Sequence, residues 1–425
     1  MKITGWILVG ILAFSLFTHF VYLASPSEVV FDEFYFGRFG SSYISETPYF
    51  DIHPPMGKLM LGFSAWVFNI EPTCSFGEIG LACDAYIFFA LRFLPALFGV
   101  LTTLILYLLT KELLDKKIGL LVAFLFSLSN IFLLQARHIQ IDIFLIFFGL
   151  LALYFFFKAL NNKRQLLYFI LSALSLGCCL SIKWTGVTFI GIIALLWFLK
   201  LLEKKIDFKK FILIAGIFAL GVILVYLVQF YIHFQLIPGG GEVDDFLGEN
   251  FQELSFPQKF TKINTLMLTA NTSISSDHPY GSKFFQWPFM NEKILYWTTS
   301  DFKVQITSAG NPVIWILSTI SMLLAFISLF YKKLRDEIYN NNYLLLVIII
   351  GFMMGILPFV MINRVTYIYH YFPSYLFAMI NLSVLFFYIK KHNQVVFWIL
   401  IILAILGFIV ISPQTYGFPP LVPYL

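Results

Sequence analysis

The sequence predicts an all-α polytopic membrane protein, and three observations carry that prediction. Of its 425 residues, 60% are hydrophobic and only 12% charged, whereas a soluble domain carries roughly 25% charged residues. Apolar runs close to the roughly 20 residues that cross a bilayer recur along the whole length. Lys and Arg crowd into every second loop, as they do on the cytoplasmic side of membrane proteins. The mean hydropathy of +0.85 agrees.

About eleven spans follow, near residues 5–24, 86–109, 118–134, 139–159, 166–181, 185–201, 211–234, 312–331, 343–362, 367–389 and 395–412. The third, fifth and sixth are short. The first run, Gly5–Ala24, is too long for a signal-peptide core and is followed by Ser25-Pro26-Ser27 rather than a clear cleavage signal, so it reads as a retained span. The 51 Phe residues are expected to face lipid, where Phe is favourable.

One set of loops carries Lys111, Lys116 and Lys117; Lys158, Lys163 and Arg164; Lys200, Lys204, Lys205, Lys209 and Lys210; Lys332, Lys333 and Arg335; Lys390 and Lys391. With Lys2, they set that face and the N-terminus in the cytoplasm. The alternate loops hold most acids, including Asp32, Glu33, Asp51, Glu242, Asp244 and Asp245. The formal net charge of +5 is therefore a matter of membrane orientation, and no nucleic-acid partner is expected.

Three regions result: an N-terminal membrane region, 1–234, with an extracytoplasmic loop at 25–85; a second extracytoplasmic loop, 235–311; and a C-terminal four-helix membrane region, 312–425. Loops this long usually have a function or are disordered. Pro238-Gly239-Gly240-Gly241 reads as a flexible joint. Cys74 and Cys83 share the first loop and can pair there if it meets an oxidising compartment. Cys178 and Cys179 read as small core residues. No Cys/His spacing suggests a metal site.

The first loop opens with Phe31-Asp32-Glu33-Phe34. Adjacent carboxylates at a membrane surface are either a solvated pair capping the next helix or, with burial raising the pKa, a general base. Tyr49-Phe50-Asp51-Ile52-His53-Pro54-Pro55-Met56-Gly57-Lys58 follows, its prolines fixing an extended corner. From Met56 to Ile70 the chain suits a helix lying in the membrane interface. Ionisable groups also lie in or at the mouths of spans: Arg92; Arg137, His138 and Asp142; Lys183; Arg364 and His370. Such groups default to a functional hypothesis, against internal ion pairs such as Arg137 with Asp142, or snorkelling. The second loop brings His278-Pro279-Tyr280 and Trp287-Pro288, either an interfacial aromatic belt or sugar- and peptide-facing rings. Asn271-Thr272-Ser273 matches a common glycosylation-acceptor pattern that carries little weight.

Together these segments resemble the protein O-mannosyltransferase family of GT-C membrane glycosyltransferases. The matching pieces are Phe31-Asp32-Glu33 with Phe36-Gly37, Phe50-Asp51-Ile52-His53-Pro54-Pro55 with Lys58, Arg92 before Leu97-Phe98-Gly99, Arg137 with Asp142, and Lys183-Trp184-Thr185-Gly186. His278-Pro279-Tyr280 to Trp287-Pro288, Gly310-Asn311-Pro312 and Tyr369-His370-Tyr371 complete them, in family order along essentially the full chain. Tyr35 stands where the family often has His, and the second loop has no room for the β-trefoil domain of the eukaryotic enzymes. The likeness is thus to the compact prokaryotic form.

The resemblance implies inverting transfer of a sugar, usually mannose, from a polyprenyl-phosphate carrier to Ser or Thr hydroxyls of secreted or membrane proteins, at the extracytoplasmic face of the cell membrane. Asp32 would be the catalytic base and Glu33 would orient the acceptor or the base. Asp51, His53, Arg92, Arg137, Asp142, Lys183, His278, Trp287, Arg364 and His370 would bind substrate, the cations among them serving the phosphate. No metal or cofactor is demanded, the lipid-linked sugar being a substrate. Two other readings remain open: a GT-C transferase with a glycolipid or cell-wall acceptor, and a lipid-linked sugar transporter. Against the transporter, span centres are apolar and the charges gather on one face.

Overall fold

The computed structural model describes residues 3–237, 247–248, 251–273, 278–339, 342–362 and 364–421. Lys2, the Pro238–Gly241 joint, Glu242, Asp244, Asp245 and Asp277 lie outside the described residues. Helix α1 (Ile3–Phe20) leads into the first loop, which folds into α2 (Glu33–Ser45) and α3 (Met56–Val67). Helices α4 (Ala85–Leu113), α5 (Lys116–Ser127), α6 (Asn130–Arg137), α7 (Asp142–Asn161), α8 (Gln165–Ile182), α9 (Val187–Leu202) and α10 (Phe208–Leu236) complete the N-terminal bundle. The second loop holds α11 (Phe256–Ser273) and an antiparallel hairpin of β1 (Leu295–Thr298) and β2 (Gln305–Thr307). Helices α12 (Pro312–Phe330), α13 (Lys332–Ile338), α14 (Asn342–Val360), α15 (Phe372–His392) and α16 (Gln394–Tyr416) follow.

Among the described residues ten helices are long and apolar enough to span, or eleven if α5 and α6 count as one span bent by 64°. The third expected span, 118–134, is therefore not one straight helix. The bend falls at Leu128-Ser129, and a helix broken at membrane depth frees carbonyls that need partners. Asn311, fully buried, supplies one: its Nδ2 donates to Leu128 O at 3.1 Å and to Ala404 O of α16 at 2.8 Å. The same side chain caps α12, accepting from the N–H groups of Val313 and Ile314 at 3.2 and 3.3 Å, ahead of Pro312 at the first helical position.

Polar caps set other boundaries. Asp84, Asp115 and Asp207 accept from the backbones of Tyr86, Lys117 and Lys210 at 2.8, 2.6 and 2.7 Å. Helix α3 turns Phe63, Trp66 and Val67 outward while burying Lys58 and Leu61, the two-faced pattern of a helix lying in an interface. Cys74 and Cys83 form a disulfide, and Glu28 bridges to Ala82, so the first loop is fastened on itself. The expectation that Phe faces lipid holds only in part. Phe17, Phe198 and Phe208 are exposed, but Phe88, Phe132, Phe144 and Phe156 are fully buried, because edge-to-face and stacked rings also pack helix against helix.

Candidate active site

The two adjacent carboxylates have opposite environments. Phe31 takes a left-handed backbone conformation, φ +43°, which is uncommon for a bulky residue. The second-loop hairpin holds it there: Phe31 N donates to Tyr296 O at 3.0 Å, and the two rings stack with centroids 4.4 Å apart. The turn sends Glu33 inward and leaves Asp32 partly exposed at the N-cap of α2. Asp32 does not cap the helix with its side chain, so the capping alternative fails. Burial pushes its carboxyl up to about 7, with Lys183 opposing that rise and Asp142 and Asp51 adding to it.

Glu33 is fully buried. It accepts from Val30 N at 3.0 Å, Ile139 N at 2.9 Å, and Arg92 Nε and Nη2 at 2.7 and 2.8 Å. The remaining Arg92 donors go to the carbonyls of Leu23, Pro26 and Glu28, and its guanidinium lies 4.6 Å from the Phe88 ring centroid. Arg137 donates to the carbonyls of Thr18, His19 and Tyr22 at 2.9–3.0 Å, closing the C-terminal end of α1, and stacks on Tyr416. Three expectations are corrected here. Glu33 has no access to an acceptor, and Arg92 and Arg137 are committed to protein carbonyls and to Glu33 rather than open to a phosphate. Arg137 does not pair with Asp142 either.

Asp142 instead pairs with Lys183, whose Nζ lies 2.9 and 2.8 Å from its two oxygens. The N-terminus of α7 and the C-terminus of α8 thus present an ion pair to a narrow cavity shared with His53, Arg364, Tyr369 and His370. Arg364 donates to Asn271 Oδ1 at the end of α11, and among the described residues no carboxylate pairs with it. Asn271 Nδ2 donates to Ile52 O at 2.8 Å, so one amide ties the first loop to Arg364. Asn271 is therefore fully engaged rather than displayed as a glycosylation acceptor. His53 is held well below its ordinary pKa by burial and then by Lys183, Lys58, Arg364 and His370, so its imidazole is neutral. His370 Nδ1 lies 3.0 Å from both N and O of Tyr367.

Asp51 sits beside this cavity, paired with Lys58 Nζ at 2.6 Å. That ammonium also donates to the carbonyls of His53 and Pro54 at 2.5 and 2.8 Å, locking the His-Pro-Pro corner. Burial lowers the Lys58 pKa, with Asp51 opposing. Trp287 is buried, donating to Ser282 Oγ at 3.0 Å and stacking on His370, so it backs the site rather than lining it. His278 is exposed at the rim, its ring 5.4 Å from Tyr367.

Sequence reasoning missed Tyr296, Tyr369 and Asn271. Tyr369 borders His370 in a quoted motif and was within reach; Tyr296 sits in an ordinary aromatic stretch and carried no signal. Among the described residues no group of three or more His, Cys, Asp or Glu side chains is placed to hold a metal ion.

Comparison with known proteins bears on this geometry. The family model described as dolichyl-phosphate-mannose-protein mannosyltransferase matches residues 9–237, and that described as the C-terminal four TMM region of protein-O-mannosyltransferase matches residues 256–422. Dolichyl-phosphate-mannose–protein mannosyltransferase 4 of Candida albicans is 31% identical over 261 residues, covering 56% of this chain and 34% of that protein. Protein mannosyltransferase 1 of Saccharomyces cerevisiae is 33% identical over 249 residues, covering 54% of this chain and 30% of that protein. The matched stretch is thus about a third of the length of these curated relatives. The S. cerevisiae protein O-mannosyltransferase Pmt1-Pmt2 complex, solved bound to its sugar donor, superposes with a TM-score of 0.86 at 18% identity, over 98% of this chain and 90% of that one. ArnT from Cupriavidus metallidurans gives 0.57 at 13% identity, over 94% and 63%. At these identities the structural likeness is one of fold.

Proposed function

Because the chain belongs to the dolichyl-phosphate-mannose-protein mannosyltransferase family, we propose that this multi-pass membrane protein transfers a mannosyl or other hexosyl unit from a polyprenyl-phosphate carrier to Ser or Thr hydroxyls of proteins at the extracytoplasmic face of the cell membrane. The observation that carries this reading is Asp32: a carboxyl with a pKa raised to about 7, within the field of Lys183, which lines a cavity together with Arg364. A base works best with a pKa near the operating pH. Asp32 takes the proton of the acceptor hydroxyl as its oxygen attacks the anomeric carbon. The bond from that carbon to the phosphate oxygen breaks, its electron pair leaving on the phosphate, and the centre inverts.

Lys183 and Arg364 hold the phosphate and stabilise its growing charge in a partly desolvated site. Asp142 fixes Lys183, and neutral His53 adds a hydrogen-bonding group without repelling the cations. The reaction in this form uses no metal or cofactor. Two features support an extracytoplasmic site: lysines gather at the opposite helix ends, and the Cys74–Cys83 disulfide of the first loop suits an oxidising compartment.

The test is transfer from polyprenyl-phosphate mannose to a Ser/Thr-rich peptide by the purified full chain and by Asp32→Asn. Transfer by the wild type alone is expected. Equal transfer by both would remove Asp32 as the base. Donor turnover onto a lipid, with the peptide untouched, would replace the protein acceptor by a glycolipid.

A further inference from the structure

The largest cavity among those described lies far from Asp32, at the lysine-rich end of the bundle, and the transfer chemistry does not use it. Its volume is about 830 Å³, within the ~300–1,000 Å³ range of small-molecule sites. It forms where α7, α9 and α15 end and α8, α10 and α14 begin, whereas Asp142 and Lys183 stand at the other ends of α7 and α8. Twenty residues of α7 separate the two sites, which is about 30 Å of helix.

Its lining divides by chemistry. Phe169, Trp197 and Leu344 are buried apolar walls, and Lys200, Lys205, Lys210 and Lys391 also line it. Three acids also line it against the four lysines, each accepting a hydrogen bond: Glu112 from Asn161 Nδ2 at 3.1 Å, Asp115 from Lys117 N at 2.6 Å, and Glu337 from the Tyr388 hydroxyl at 3.4 Å. Among the described residues, Lys205 alone of these lysines has a carboxylate partner, Glu203 at 2.7 Å. Lys200 lies 4.6 Å from the Tyr343 ring centroid and Lys210 donates to Gln165 at 3.0 Å, and among the described residues no carboxylate pairs with Lys200, Lys210 or Lys391.

We propose that this cavity binds the headgroup of an anionic membrane phospholipid, its phosphate held by Lys200, Lys210 and Lys391 and its glycerol and upper acyl chains against the Phe169–Trp197 wall. A soluble anion would use the ammonium groups but leave the apolar wall unfilled. The site's depth, at the ends of spanning helices, is that of lipid headgroups, and basic pockets between spanning helices select such lipids. The proposal does not depend on the transfer reading.

The test is native mass spectrometry of the delipidated full chain titrated with phosphatidylglycerol or phosphatidylcholine. Phosphatidylglycerol is expected to bind about a hundredfold more tightly, each of the three lysines contributing about fivefold. The combined Lys200→Ala, Lys210→Ala and Lys391→Ala variant is expected to lose that preference, and the corresponding Arg variant to keep it. Lys332→Ala with Lys333→Ala, outside the cavity, is expected to leave it unchanged. Thermal melting in detergent verifies that each variant folds, and the single Lys→Ala variants, each expected to weaken the preference about fivefold, carry the test if the combined variant does not fold. Equal binding of the two lipids, or a preference lost equally in the Lys332 and Lys333 variant, would overturn the site. Displacement of the lipid by millimolar inorganic phosphate would replace it with a soluble-anion site.

Discussion

Asp32 and Glu33 are neighbours in the chain with the same charge, yet one is partly exposed and the other is fully buried. Glu33 accepts four hydrogen bonds, two of them from Arg92, and both members of that ion pair are fully buried. Asp32 lies within the field of Lys183 and carries a raised pKa. The difference teaches how one of two adjacent carboxylates can be left free of the hydrogen bonds that hold the loop. Its neighbour anchors the backbone, so that Asp32 need not spend its own hydrogen-bonding capacity on holding the loop. The same division runs through the cations: Arg92 and Arg137 secure carbonyls near the end of α1 and the start of the first loop, while Lys183 and Arg364 border the cavity.

The largest expected effect breaks the comparison on its reactive side. Asp32→Asn should lower transfer about a hundredfold to ten-thousandfold, the usual contribution of a general base, in the peptide assay with an unchanged circular dichroism spectrum. Glu33→Gln should act on the other side. It leaves the buried Arg92 charge uncompensated, and breaking such a pair costs about 3–5 kcal/mol. Denaturant unfolding in mixed micelles would read that loss, and activity normalised to folded protein should change far less than in Asp32→Asn.

Smaller effects sharpen the picture. Asn271→Ala should raise the donor KM and lower kcat, because it frees Arg364, which holds the phosphate and stabilises its growing charge, from the amide that aims it; a hydrogen bond to a charged group contributes roughly 1.5–3 kcal/mol. Steady-state kinetics against donor concentration separate the two constants. The rising limb of kcat/KM against pH should centre near about 7, the Asp32 value. Lys183 lowers that pKa, so Lys183→Met should move the limb to higher pH.

Linkage supplies the smallest signal. The folded-state pKa of Asp32 lies above its ordinary 3.8, so the native state binds the proton more tightly. Its contribution to stability is present below pH 3.8 and is lost as pH rises to about 7. Asp32→Asn, which stays neutral, should therefore melt at a higher temperature than the wild type, by a margin that widens from pH 4 to pH 7 and then levels off. A margin independent of pH would mean that Asp32 is not desolvated as described.

Most of the architecture was legible in the sequence because a bilayer imposes a length and a polarity that local composition reports directly. Expected spans 86–109, 166–181 and 211–234 are found as Ala85–Leu113, Gln165–Ile182 and Phe208–Leu236. The break at Leu128-Ser129 was not legible, since the partner that satisfies it, Asn311, lies 183 residues away. The Asp32–Glu33 pair, the His-Pro-Pro corner and the charged span mouths were all visible as chemistry. Which of them would meet was not. Asp142 chose Lys183 across 41 residues rather than nearby Arg137, because the ends of α7 and α8 pack together while Arg137 turns to the end of α1.

The sequence by itself determined the class, most of the spans and the residue types available to the site, since hydropathy and charge placement are properties of short segments. Only the tertiary structure decided which charges line the cavity and which became fasteners. That choice depends on burial and on hydrogen-bond partners supplied by distant segments: Arg92 for Glu33, Tyr296 for Phe31, Asn271 for Arg364. A side chain's identity sets what it can do, whereas the partners that fold around it decide whether that capacity is already satisfied.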